Sequence, residues 1–183
     1  MDEPMASGHI FTIGHGNQSR EAILEQLIRA GVSFIVDIRS SPYSRFQPVF
    51  SREPLDAFLR ESRIRYVFMG DLLGGRPDDD DCYSSGKVDY DKIRKKEFFA
   101  RGIDRLKSAY KQGLTICLLC SEGQPSQCHR SKLVADELVR QGIDVTHLLP
   151  DGSHRSQEEV IRELTGGQGS LFGEHFVSRK SYR

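Results

Sequence analysis

The sequence predicts an α/β fold: three layers, with a mostly parallel sheet of about five strands and helices on both faces. Two observations carry this. Strand-like and helix-like segments alternate along the chain in the order β-α-β-α-β-α-β-α-β-α, which favours a parallel sheet with crossover helices. The run Ser33–Ile38 is β-branched and continuous, as a strand covered on both faces should be.

The elements follow in order. His9–Gly14 is a short apolar run stopped by Gly14-His15-Gly16. Ser19 caps a helix to about Ala30, with Ile23, Leu24, Leu27 and Ile28 at helical spacing and Gly31 ending it. Ser33–Ile38 is the second strand. Ser51 caps a helix carrying Leu55, Phe58 and Leu59, and Ile64–Phe68 is the third strand. Gly70–Gly86 reads as loop, with Gly74-Gly75-Arg76-Pro77 and a four-Asp run. One long amphipathic helix is expected over Tyr90–Gln112, then the strand Leu114–Cys120 and a helix from about Gln127 to Gln141. Ile143–Leu149 is the last strand. Ser156 and Glu159 form a capping-box pattern for a final short helix.

Residues 8–164 are therefore expected to form one α/β domain. Residues 165–183, rich in Gly and Ser without a periodic apolar face, are expected to be a flexible tail. The chain has 183 residues, with 26 Lys+Arg against 26 Asp+Glu, so its formal charge is zero. That balance excludes a bulk nucleic-acid coat but not a local basic groove. Six acids and one base fall between Asp78 and Asp91, leaving 25 bases against 20 acids elsewhere. No run approaches the roughly eighteen apolar residues of a membrane span, and the N-terminus lacks the pattern of a signal peptide. A cytoplasmic location is expected, with Cys82, Cys117, Cys120 and Cys128 reduced and no disulfide framework.

In parallel α/β sheets, ligands sit beyond the C-terminal ends of the strands. That rule selects four segments: 14–17, 37–45, 69–76 and 120–130. The last joins a buried strand to a helix start, where backbone N–H groups favour anions and thiolates. Cys120, Glu122, Cys128 and His129 are the candidate catalytic groups, the cysteines as nucleophiles and Glu122 or His129 as acid/base. His15, Asn17, Asp37, Arg39, Ser41, Arg76 and Arg130 are the candidate substrate or phosphate contacts. Between Arg39 and Arg76 lie seven Arg and no Lys, interleaved with Tyr43, Phe46 and Phe50, a pattern suited to phosphate contact and base stacking. Cys117 and Cys120 are not a redox pair, since residues three apart on a strand face opposite sides. A metal site has three local ligands, Cys120, Cys128 and His129, at a spacing that matches no standard zinc pattern. No cofactor is expected. Gly14–Ser19 is a near miss of a dinucleotide fingerprint, with Ser19 in place of the third Gly.

The segments Thr12-Ile13-Gly14-His15-Gly16-Asn17, Val36–Pro42, Leu73-Gly74-Gly75-Arg76-Pro77 and Leu118–Arg130 together resemble the domain-of-unknown-function 488 family. The resemblance spans about residues 9–150 and implies an α/β domain with these motifs around one cleft, without supplying a reaction. A weaker likeness links Asp37-Ile38-Arg39 and the Cys120–Arg130 loop to rhodanese-type sulfurtransferases. There the loop between Cys and Arg is shorter than the nine residues found here. Gln168-Gly169-Ser170-Leu171-Phe172 resembles the short peptide by which bacterial DNA enzymes hold the sliding clamp, with Gln168, Leu171 and Phe172 as the contacts.

These readings converge on an enzyme acting on DNA or a nucleotide component, tethered to the clamp by its tail. A non-catalytic nucleotide-binding module and rhodanese-like sulfur or phosphoryl transfer stand as alternatives.

Overall fold

A computed structural model describes residues 7–167 and 175–183. Nine strands lie among them: β1 His9–Gly14, β2 Phe34–Asp37, β3 Arg65–Phe68, β4 Tyr83–Ser84, β5 Lys87–Asp89, β6 Thr115–Cys120, β7 Val145–Leu148, β8 His154–Ser156 and β9 Val177–Ser181. The helices are α1 Arg20–Arg29, α2 Arg52–Glu61, α3 Gly70–Leu73, α4 Tyr90–Arg94, α5 Glu97–Lys111, α6 Asp136–Arg140 and α7 Gln157–Leu164. A π-helical turn, Arg130–Ala135, runs directly into α6.

The main sheet has six strands in the order β3-β2-β6-β1-β7-β8, all parallel except β8, which pairs antiparallel with β7. Its register levels the strand ends that matter. Gly14 pairs with Cys120 across β1 and β6, and Asp37 pairs with Leu119 across β2 and β6. The last residues of three central strands thus share one edge.

Alternation along the strands sends apolar side chains to both faces. Ile13, Ile35, Cys117 and Leu119 pack under α1 and α2 with Ile23, Leu27, Leu55 and Leu59. Ile10, Val36, Ile116 and Leu118 pack on the other face against Phe99, Ile103, Leu106 and Leu138. The expected three layers are present. Cys117 is fully buried, and burial pushes its thiol well up, so it behaves as a small hydrophobe. Ser19 caps α1 by accepting from the Ala22 amide, and Ser156 with Glu159 closes the capping box of α7.

Several expectations are corrected. The stretch 70–86 is not all loop: Gly70–Leu73 is helical, and Tyr83–Ser84 opens a small antiparallel sheet in the order β4-β5-β9. The long helix is broken at Lys95 and Lys96. Extended backbone at Lys96 carries its ammonium to Asp79, 2.7 Å away, and toward Asp81, so the acidic run is paired with the helix break. The expected tail is in part a strand. Val177–Ser181 pairs with β5, Ser178 Oγ accepts from the Val88 amide, and Arg183 reaches Asp80 at 2.5 Å. The clamp-like residues Gln168, Leu171 and Phe172 lie outside the described residues. Among the described residues no helix is long and apolar enough to cross a membrane.

Candidate active site

The central strand edge is held in shape by a buried ion pair. Asp37 ends β2 with no exposure, and its carboxylate accepts from Arg39 Nε at 2.9 Å and Nη2 at 2.5 Å, and from Tyr66 Oη at 2.5 Å. Arg39 Nη2 also donates to the Phe50 carbonyl. Burial works against the Arg39 charge, but the Asp37 carboxylate outweighs it and raises the guanidinium above its ordinary value. Burial, and then the same carboxylate, pushes the Tyr66 hydroxyl far up. Arg39 is therefore committed to bracing the loop after β2, although part of its side chain borders the cleft.

Arg130 is likewise spent inside the fold. It is fully buried, and its two terminal nitrogens donate to the carbonyls of Glu122 and Gly123 at 2.9 and 2.7 Å. Burial pulls its guanidinium down to about 10, far enough above neutrality for the charge to persist. Gly14 makes room for this arm: a β-carbon there would collide with the Glu122 carbonyl and Arg130 Nη1. The first glycine of the near-miss fingerprint thus serves loop packing.

The loop after β6 folds back so that its two cysteines meet. Sγ of Cys120 and Sγ of Cys128 stand in bonding contact as a disulfide, with Cα atoms 7.5 Å apart. This departs from the expectation of four reduced cysteines at two of them, Cys120 and Cys128, while Cys82 and Cys117 are free. The spacing of eight residues lets the loop return the helix start to the strand end. Cys128 lies at that helix start, where its carbonyl accepts from the Ser131 and Lys132 amides and its sulfur from the Arg130 amide at 3.4 Å. A sulfur receiving a backbone N–H at a helix N-terminus is in the environment that stabilises a thiolate.

His129 completes the cluster. Its Nε2 lies 2.9 Å from the Ile38 carbonyl, which can only accept, so Nε2 carries the proton in the neutral ring. Nδ1 then presents its lone pair to both sulfurs, each 3.7 Å away. Burial lowers the imidazole's affinity for a second proton, countered in part by the Ile38 carbonyl. Glu122 Oε2 lies 3.3 Å from Cys120 Sγ.

These groups border a cavity of about 480 Å³ lined also by Ser40, Ser41, Phe46, Gly75, Arg76, Tyr90 and Gln127. Strand β9 closes one wall with Ser178, Arg179 and Lys180, followed by Tyr182. Of the expected site residues, Cys120, Glu122, Cys128, His129, Ser41, Arg39 and Arg76 border this cleft. Asp37 and Arg130 lie behind it. His15 and Asn17 do not line it: His15 is stacked on Phe50 at 4.6 Å, and Asn17 is exposed.

Arg179 and Lys180 escape sequence reasoning because Val-Ser-Arg-Lys-Ser has no apolar face. Its one buried position is Ser178, so no alternation of residue types marks it as a strand.

Fold and cleft together define a class: an α/β protein with a cysteine, histidine and glutamate cluster at the C-terminal edge of a parallel sheet. The chain matches the family model described as Domain of unknown function DUF488 over residues 19–137, and it belongs to that family. No curated protein and no solved structure matches it. Three of the four motif segments fall inside the matched residues, whereas β9 falls outside them.

Proposed function

We propose that the protein is an enzyme that takes a phosphate-bearing substrate, a nucleotide or a nucleic-acid segment, into this cleft. Its reacting groups are those of the Cys120, Glu122, Cys128 and His129 cluster. One observation carries the reading. Arg76, Arg179 and Lys180 border the cavity without a carboxylate partner among the described residues, and the reactive cluster lies beside them. Unpaired cations at a concave site focus anions, and the cavity's volume suits a nucleotide-sized ligand.

The remaining lining supports the same class. Phe46 stands 92% exposed at the rim, and Arg76 lies over the Tyr182 ring at 5.3 Å, so planar groups are available for a base. In this reading Arg76, Arg179 and Lys180 hold phosphate, Phe46 and Tyr182 flank the base, and Glu122 accepts a proton. Arg39 and Arg130 are positioning residues that hold the two loops. Sulfur transfer in the rhodanese manner has weaker support, because Arg130 is tied to the Glu122 and Gly123 carbonyls and does not close an anion cradle.

The test is equilibrium binding of a nucleoside monophosphate, the matching nucleoside and a 5′-phosphorylated oligonucleotide. Product analysis by mass spectrometry accompanies it. Phosphate-bearing ligands should bind with an affinity that falls with salt. Arg76→Ala or Lys180→Ala should weaken them by about tenfold, the size of one lost charge-assisted contact. Turnover should vanish in Cys120→Ser and Cys128→Ser. Equal affinity for nucleoside and nucleotide would remove the phosphate assignment, and full turnover in both cysteine variants would remove the catalytic one.

A further inference from the structure

We infer that, with the Cys120–Cys128 pair reduced, Cys120, Cys128 and His129 bind one divalent ion of the zinc class, with Glu122 beside its fourth position. The three ligand atoms lie within 4.8 Å of one another. A tetrahedral zinc ion has bonds of about 2.3 Å to sulfur and about 2.0–2.1 Å to nitrogen, so the sulfur–nitrogen edge is about 3.5 Å. The two edges from His129 Nδ1 to each Sγ are 3.7 Å, whereas the third, between the sulfurs, is closed by the disulfide and must open to about 3.8 Å once that bond is reduced.

The neighbouring contacts prepare the set. The Ile38 carbonyl fixes the proton on Nε2 and leaves Nδ1 as the ligand, the arrangement by which outer groups orient metal-bound imidazoles. The Arg130 amide supports a thiolate on Cys128. The Cα atoms of the two cysteines stand 7.5 Å apart, beyond the roughly 4.4–6.8 Å usual for a cystine. Two thiolates that share an ion fit that spacing.

The chemistry of the set selects the ion. Two thiolates and an imidazole favour zinc over magnesium or calcium, which take oxygen ligands. Loading balances as two thiols plus the ion giving a dithiolate complex and two protons. The disulfide form offers no thiolate, so a two-electron thiol or phosphine reductant must act first.

Three protein ligands bordering a cavity, with a carboxylate 3.3 Å from one sulfur, match a catalytic site more closely than a closed structural one. Water on such an ion is acidic near neutrality, and Glu122 is placed to take its proton. This last step rests on the proposed function, whereas ion binding does not.

The experiment uses the full chain, reduced with a phosphine under anaerobic conditions, with four free thiols confirmed by titration. Cobalt(II) serves as the spectroscopic probe and zinc as its competitor. One equivalent of cobalt should give a thiolate charge-transfer band and the strong visible bands of a tetrahedral site, both erased by zinc. Cys120→Ser and Cys128→Ser should lose the charge-transfer intensity in part, and His129→Gln should weaken the ion by at least about tenfold. Without mutation, bound zinc should slow alkylation of Cys120 and Cys128 and leave Cys82 and Cys117 unchanged.

A reduced protein that gives no cobalt band, or a pair that resists native reduction, overturns the inference. So does zinc that fails to protect those two thiols. Nucleotide binding that persists without a cobalt band sinks the ion alone. A cobalt band without nucleotide binding sinks the substrate reading alone.

Discussion

A β-carbon on Gly75 would lie 2.6 Å from Cγ of His129, so the imidazole rests directly on the backbone of the segment Gly74-Gly75-Arg76. That contact joins two residues fifty-four apart in sequence and sets the ring where Nε2 meets the Ile38 carbonyl. Gly75→Ala should push the ring off this seat at a stability cost of about 1–3 kcal/mol, typical of overpacking. Once the ring is released to water, the burial that lowers its affinity for a second proton is removed. The His129 imidazole should then titrate at higher pH than in the parent protein, as followed by NMR. An unchanged titration would show that the ring does not depend on Gly75.

The Asp37–Arg39 pair gives a stability prediction. Both partners are buried, and Asp37 also holds Tyr66. Arg39→Met leaves a buried carboxylate with the Tyr66 hydroxyl and the backbone amide of residue 39 as donors but no countercharge, which should cost about 3–5 kcal/mol in urea unfolding. Asp37→Asn combined with Arg39→Met should cost less than the sum of the single changes, because the lone charge is gone. A loss under about 1 kcal/mol for Arg39→Met would mean that the pair is not what holds this edge.

How much of this was legible in the sequence depends on what each element is made of. Apolar runs such as Ile35-Val36 and Ile116–Leu119 mark strands because burial on both faces leaves no room for polar residues. The polar strands β8 and β9 carry no such mark, being held by backbone pairing at sheet edges. The break at Lys96 depends on Asp79, seventeen residues away, which helical spacing cannot reveal. The site shows the same division. Residue type singles out Cys120, Glu122, Cys128 and His129, and the fold brings their side chains together. It could not tell that Arg130 turns inward to carbonyls while Arg179 and Lys180, from the far end of the chain, border the cleft.

A buried polar network behind the helix start predicts a pH dependence. His147 Nδ1 lies 2.6 Å from Thr12 Oγ1, and its Nε2 lies 2.8 Å from Gln157 Oε1. Gln157 in turn binds Ser131 through both its oxygen and its nitrogen. Burial, with a smaller push from the Arg130 charge, pulls the His147 imidazole down to about 4 despite the Gln157 hydrogen bond. A histidine lowered on folding contributes stability that is complete above about pH 6.5 and is lost as pH falls toward 4, because the unfolded chain takes up the proton first. Between pH 6.5 and 5 the loss should be about 1.5 kcal/mol. His147→Gln should flatten that part of the stability profile, measured by urea midpoints across the range. A parallel profile for variant and parent would contradict the assignment.

The proposed clamp contact can be separated from the cleft, although they share one end of the chain. Residues 168–174 fall between α7 and β9 in the sequence, and β9 is anchored by its pairing with β5 and by Arg183 on Asp80. Truncation after Gly167 would therefore remove Arg179 and Lys180 from the cleft together with the peptide, and would confuse two functions. Leu171→Ala with Phe172→Ala removes only the two apolar groups that would fill a clamp pocket, each worth about 1.5–3 kcal/mol when buried. The pair should abolish capture by a purified bacterial sliding clamp and leave nucleotide affinity unchanged. Arg76→Ala should do the reverse, weakening nucleotide binding while clamp capture persists. Clamp binding that survives the double alanine change would mean that Gln168-Gly169-Ser170-Leu171-Phe172 is a chance likeness. Nucleotide binding lost with it would mean that these residues serve the cleft instead.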